Sequence, residues 1–97
     1  MEAPVRATGE IKPPKLLKHV PPVYPVIARQ RGIEGVVVVE ATTDIYGIVQ
    51  DVKVINSVSL LDQAAIEAVR QWVYEPMIID GQPRRVIFTV RVTFEHK

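Results

Sequence analysis

Side chains that could carry acid–base, nucleophilic or metal chemistry are few in this chain, and their spacing keeps them apart. The only histidines, His19 and His96, fall at opposite ends. No H-x-x-x-H pair or other cluster with metal-ligand spacing is present. There is no cysteine, which excludes thiolate nucleophiles, thiolate metal sites and disulfides. Ser57 and Ser59 stand at the start of a helical stretch, where capping accounts for them, and no G-x-S-x-G surrounds either. The five glycines form no phosphate-cradling loop. Asp44, Asp51, Asp62 and Asp80 fall in a turn, a strand, a helix cap and a turn. The sequence therefore argues against an enzyme and offers no constellation for a cofactor or a metal.

What it does offer is recognition chemistry. Arg29 and Arg31 lie on one short predicted helix with no acidic partner inside it. Arg84, Arg85 and Arg91 lie on the last predicted strand, where Arg85, Ile87, Thr89 and Arg91 share one side. A guanidinium presents several donors in a fixed plane and favours carboxylates, so Arg85 and Arg91 would favour acidic residues in an extended ligand. Twelve basic and eleven acidic residues nearly cancel, to a net charge of +1, so the strongly basic footprint of a nucleic-acid binder is missing.

The elements that must position these residues follow from periodicity. Ser59 to Pro76 is the one long helical pattern. Leu61, Ala65, Ala68, Val69 and Trp72 recur at steps of three and four and line one stripe. Ser59 is placed to cap the start, with Asp62 at the capping-box spacing. The helix should end near Trp72, because Pro76 cannot continue it and pushes Glu75 toward extended geometry. Trp72 reads as a core anchor. Val23 to Gly32 predicts a short helix, with Pro25 at the first helical position and Gly32 ending it.

Three strands are expected. Gly35 to Thr43 buries Val37, Val39 and Ala41. Asp44-Ile45-Tyr46-Gly47 turns the chain, with Gly47 available for positive φ. Ile48 to Asn56 is second, and there Val49 is out of phase with Val52 and Val54 unless a bulge intervenes. Asp80-Gly81 marks a further turn. Arg84 to Phe94 is third, with Val86, Phe88, Val90, Val92 and Phe94 in strict alternation, as for a sheet with one buried face. The fold class is thus α+β: a three-stranded antiparallel sheet in the order 2-1-3, with two helices packed on one face and strand three at an edge.

Ninety-seven residues make one domain. Residues 1–21 hold four of the eight prolines, Pro4, Pro13, Pro14 and Pro21, interspersed with lysines. They read as a Pro/Lys-rich extended linker, with Leu16 to Val20 able to lay down a short strand. Residues 22–97 are the folded domain. No apolar run approaches the ~18 residues that cross a bilayer, and no signal-peptide core follows Met1.

In order along the chain, Tyr24-Pro25, Gly32-Ile33-Glu34-Gly35, Gly47, Leu61-Asp62-Gln63-Ala64-Ala65, Trp72-Val73-Tyr74-Glu75-Pro76 and Asp80-Gly81-Gln82-Pro83 resemble the C-terminal domain of TonB-type energy transducers. The resemblance runs from Pro22 to Phe94 and implies the α+β fold just described. It further implies a periplasmic domain of a longer protein anchored in the inner membrane. That protein would draw on a proton-driven motor complex there. The domain would grip the TonB box, a short extended peptide of an outer-membrane transporter, and drive active import such as that of siderophores. Arg31-Gly32 and Asn56 faintly resemble acylphosphatases, but the surrounding motif is missing.

An edge strand leaves alternate backbone groups unpaired, and an extended peptide can satisfy them by strand addition. The third strand has no glycine and no proline after Pro83, so nothing in its interior blocks pairing. The expected peptide-binding residues are therefore Arg84, Arg85, Ile87, Thr89 and Arg91 along that strand. Tyr24, Pro25, Arg29 and Arg31 join them, partly through the family's Tyr-Pro motif. The alternative is a structural domain that dimerises with a second copy through the same edge, without binding a transporter.

Overall fold

The computed structural model describes residues 2–95, so His96 lies outside the described part. In chain order the elements are β1 (Val5–Arg6), β2 (Leu16–Lys18), α1 (Val26–Gln30), β3 (Gly35–Thr43), β4 (Val49–Asn56), α2 (Asp62–Val69), β5 (Val73–Tyr74), β6 (Met77–Ile79), β7 (Gln82–Arg84) and β8 (Val86–Phe94).

The main sheet has the order β1-β8-β3-β4. β3 pairs antiparallel with β8 through nine residue pairs, from Gly35 opposite Phe94 to Thr43 opposite Val86. Facing pairs share a side of the sheet. Val37, Val39, Ala41, Val86, Phe88, Val92 and Phe94 are accordingly buried together. β4 completes that face through Val49 and Val52. The β3–β4 register shifts between Thr42 and Thr43, so that Thr43 faces Val49 and Gln50 is the extra residue. This bulge brings Val49 back into phase with Val52.

The expected three-stranded sheet is corrected to four strands. β1 adds to β8 in parallel, with Val5 opposite Val86 and Arg6 opposite Ile87. Strand three is therefore not a free edge along its first residues. The long third strand also starts later than expected. Asp80 and Gly81 both adopt positive φ, 53° and 78°. They close a tight β6–β7 hairpin that ends at Arg84, before β8 begins.

α2 is shorter than its apolar pattern. The chain first turns over Val58, whose carbonyl accepts from Leu61 and Asp62 N–H. Ser59 does not cap. Instead the Asp62 carboxylate accepts from Val58 N–H at 2.7 Å and from the Ser57 hydroxyl. A first-turn carboxylate thus ties back the preceding chain, and its charge suits the positive end of the helix. The predicted stripe is buried throughout: Leu61, Ala65, Ala68, Val69 and Trp72. α1 also starts later than expected, since Pro25 occupies the N-cap with extended geometry. Its contribution to the core is Ala28.

The N-terminal segment is extended, and the fold pins it at several points. β2 pairs with β5, and Glu75 N–H donates to Lys15 O at 2.8 Å. Pro14 is buried, and Leu16 and Val20 pack on the core. Trp72, only 6% exposed, donates its indole N–H to Val20 O at 2.7 Å. The His19 ring stands 4.8 Å from that of Trp72, yet His19 stays exposed.

The β3–β4 turn is fixed by Asp44, whose Oδ1 accepts from Tyr46 and Ile48 N–H. Gly47 (φ 87°) lies so close to β5 that a Cβ there would stand 1.9 Å from Tyr74 O. No L side chain could be accommodated without moving β5. Ile45 and Tyr46 remain outside, Tyr46 being 71% exposed.

Two predictions test this core. Trp72→Ala should cost about 3–5 kcal/mol, as for other large buried aromatics, measured by chemical denaturation. A loss under ~1 kcal/mol would contradict the anchoring role. Burial raises the Tyr74 phenol from the ordinary 10.0 to about 12. Folding thus favours its neutral form, a contribution fully present below pH 10 and lost as pH rises to 12. Stability should fall across that window, and Tyr74→Phe should flatten the fall.

Candidate functional site

The geometry of the β8 edge follows from its ladder. Val5 N–H donates to Arg85 O at 2.8 Å, and Ala7 N–H donates to Ile87 O at 2.9 Å. The backbone groups of Arg85 and Ile87 thus point away from β3. In an antiparallel strand this direction alternates, and the β3–β8 register is continuous. Thr89, Arg91 and Thr93 therefore turn their N–H and C=O toward the same edge, beyond the last β1 contact. β1 fills the first part of the edge, and among the described residues no strand pairs with the remainder.

The predicted residues divide into three groups. Thr89 and Arg91 are exposed on the open part of β8. Arg84, Arg85 and Ile87 lie at the other end, and each already has an intramolecular neighbour. Arg84 forms an ion pair with Glu2 at 3.1 Å and donates to Ala3 O. Arg85 Nε donates to Gln50 at 3.2 Å, which turns its head across the sheet toward β4. Ile87 faces Arg6 in register, and Arg6 reaches Glu40 at 3.1 Å.

Tyr24, Pro25, Arg29 and Arg31 form the third group, at the C-terminal end of β8. The Tyr24 ring meets Phe94 edge-on at 5.5 Å. Its hydroxyl donates to Ile33 O, and the Arg29 guanidinium lies 5.3 Å from its ring centre. Tyr24 is thus a rigid post between α1 and the strand end. Arg29 and Arg31 are exposed beside it, with exposed Val23, Val26 and Ile27. At ~3.3 Å per residue the stretch from Ile87 to Thr93 is about 20 Å long. The arginines of α1 and of the β7–β8 junction therefore mark opposite ends of one edge and do not converge on a point. Among the described residues, no group of three or more acidic or histidine side chains is placed to hold a metal ion. The arrangement can present main-chain donors and acceptors along a line, with positive charge at each end.

Sequence reasoning missed the role of residues 2–7. Their signal is faint, since a strand as short as Val5–Arg6 carries no alternation to detect.

Residues 20–96 match the family described as Gram-negative bacterial TonB protein C-terminal. Protein TonB of Vibrio cholerae is 41% identical over 88 residues, which is 87% of this chain and 36% of that protein. Protein TonB of Pseudomonas aeruginosa is 39% identical over 76 residues, 76% of this chain and 21% of that protein. The chain thus spans well under half the length of these relatives. The solution NMR structure of the Pseudomonas aeruginosa TonB CTD superposes with a TM-score of 0.69 at 35% identity, covering 86% of each chain.

The edge makes a direct prediction for amide exchange. In the free chain, Thr89 and Arg91 N–H should exchange quickly, and Phe88 and Val90 N–H, turned toward β3, slowly. Uniform protection from Phe88 to Arg91 in a verified monomer would show that the edge is closed.

Proposed function

The chain belongs to the family of Gram-negative bacterial TonB protein C-terminal domains, and from that membership we propose that it is the periplasmic, peptide-gripping end of an energy transducer. In this reading the longer protein is anchored in the inner membrane and driven there by a proton-powered motor complex. The domain binds the TonB box of an outer-membrane transporter and passes force to it for active import, with siderophores as a cargo class. The observation that carries the reading is the open run of β8 from Thr89 to Thr93. A peptide strand laid there continues the main sheet by backbone hydrogen bonds, which demand little of the peptide's sequence. Such a grip suits a domain serving several transporters. Thr89 and Arg91 stand beside the peptide and tune its choice. Tyr24, Pro25, Arg29 and Arg31 flank one end of it, and Arg84, Arg85 and Ile87 the other.

The test removes a donor without touching the core. Thr89 and Arg91 N–H both face outward, so Thr89→Pro or Arg91→Pro deletes one edge bond and leaves the ladder to β3 intact. Each should weaken binding of a synthetic TonB-box peptide at least tenfold by calorimetry. Arg29→Glu with Arg31→Glu should also weaken binding and flatten its salt dependence. Undiminished affinity in both proline variants would remove the edge from the site. A domain that stays dimeric in sedimentation and ignores the peptide would favour self-association through the same edge.

A further inference from the structure

The occupant of the first part of the β8 edge is the chain's own N-terminus, seated as a ligand would be. Val5 and Ala7 donate their N–H groups to Arg85 O and Ile87 O. Val5 is half-buried beside Val86, its register partner, and Ala7 packs on the core. Arg6 points to the other face and pairs with Glu40. Ahead of the strand, Glu2 pairs with Arg84, and Ala3 O accepts from the same guanidinium. The segment thus uses an acidic residue, alternating side chains and main-chain bonds, all from residues 2–7.

Its hold is slight. β1 makes two register pairs with β8, whereas β3 makes nine. Both ion pairs are exposed on at least one side and are screened by salt. After Ala7 the chain turns away, with Thr8 N–H bonded to Arg6 O, Ile11 N–H to Thr8 O and Gly9 at φ 61°.

We propose that residues 2–8 are an exchangeable self-ligand of the β8 edge. A partner strand that extends along β8 from the open run toward Arg85 must displace them. The partner class is an extended peptide with an acidic residue ahead of alternating small or apolar positions. The inference rests on the reading that the β8 edge receives the partner strand. It adds that the site is partly self-occupied, so that affinity is set by competition with the chain's own N-terminus.

The experiment uses the full chain carrying Val5→Pro and Ala7→Pro, which removes both donors to β8. The probe is a synthetic peptide of residues 2–8 with the native sequence. By NMR titration it should bind the variant at least tenfold more tightly than the unmodified chain, with shifts centred on Arg85 to Thr89. Arg84→Gln added to the variant should weaken that binding, as should high salt. A variant that keeps protected β3 amides but fails to bind the peptide, or binds it no better than the unmodified chain, overturns the proposal. If the variant does not fold, amide exchange in the unmodified chain decides. Val5 and Ala7 exchanging at least a hundredfold faster than Val37 and Val39 supports a strand that detaches alone, and equal protection overturns it. A TonB-box peptide is titrated in parallel. If it binds neither form while the residue 2–8 peptide binds the variant, the transporter reading fails and the self-ligand stands.

Discussion

The register of β8 against β3 is the constraint on which the rest of the domain depends. Side chains alternate along a strand, so a slip of one residue would carry Val86, Phe88, Val92 and Phe94 out of the core and turn Ile87, Thr89 and Arg91 into it. The aromatic contacts fasten that register from the buried side. Tyr74 meets Phe88 edge-on with ring centres 4.7 Å apart, and Tyr24 meets Phe94. With the side chains committed, the direction of each backbone N–H and C=O is fixed as well. The outward groups of Arg85, Ile87, Thr89, Arg91 and Thr93 must be covered by the chain, by a partner or by water. Structure and candidate function meet at this single row of groups.

The N-terminal third wraps the core and reaches this row at its start, where β1 pairs with β8. Trp72 joins α2 to the extended N-terminal segment through its bond to Val20 O, and that segment is also held where β2 pairs with β5. Gly47 lets β5 approach the β3–β4 turn, where Tyr74 N–H donates to Gly47 O. The same wrapping that completes the core from outside carries residues 2–7 to the β8 edge. An extended, proline-rich segment is suited to this, because little backbone freedom is lost when prolines are held in place.

Much of the fold was legible in the residues. The stripe from Leu61 to Trp72 and the alternation along β8 are long enough for their periods to be unambiguous, and both faces are buried as expected. Even the misfit of Val49 told correctly of a bulge. What escaped was set by partners far along the chain. β1 is a strand only because β8 offers it a template. Ser59 and Asp62 have the spacing of a capping box, but Asp62 bonds Val58 and Ser57 because the chain turns before the helix begins. In the candidate site the outward set on β8 could be read from alternation. The engagement of Arg84 by Glu2 and of Arg85 by Gln50 could not, since nothing local in either segment announces it.

The central claim is that a partner strand completes the sheet at β8. It is tested most directly by the structure of the complex in solution, with the domain isotope-labelled and a TonB-box peptide unlabelled. The account predicts cross-strand proton contacts between the peptide backbone and Thr89, Arg91 and Thr93, with the β3–β8 ladder unchanged. Peptide contacts confined to β4 or to the Ile45–Tyr46 turn, with none along β8, would contradict it.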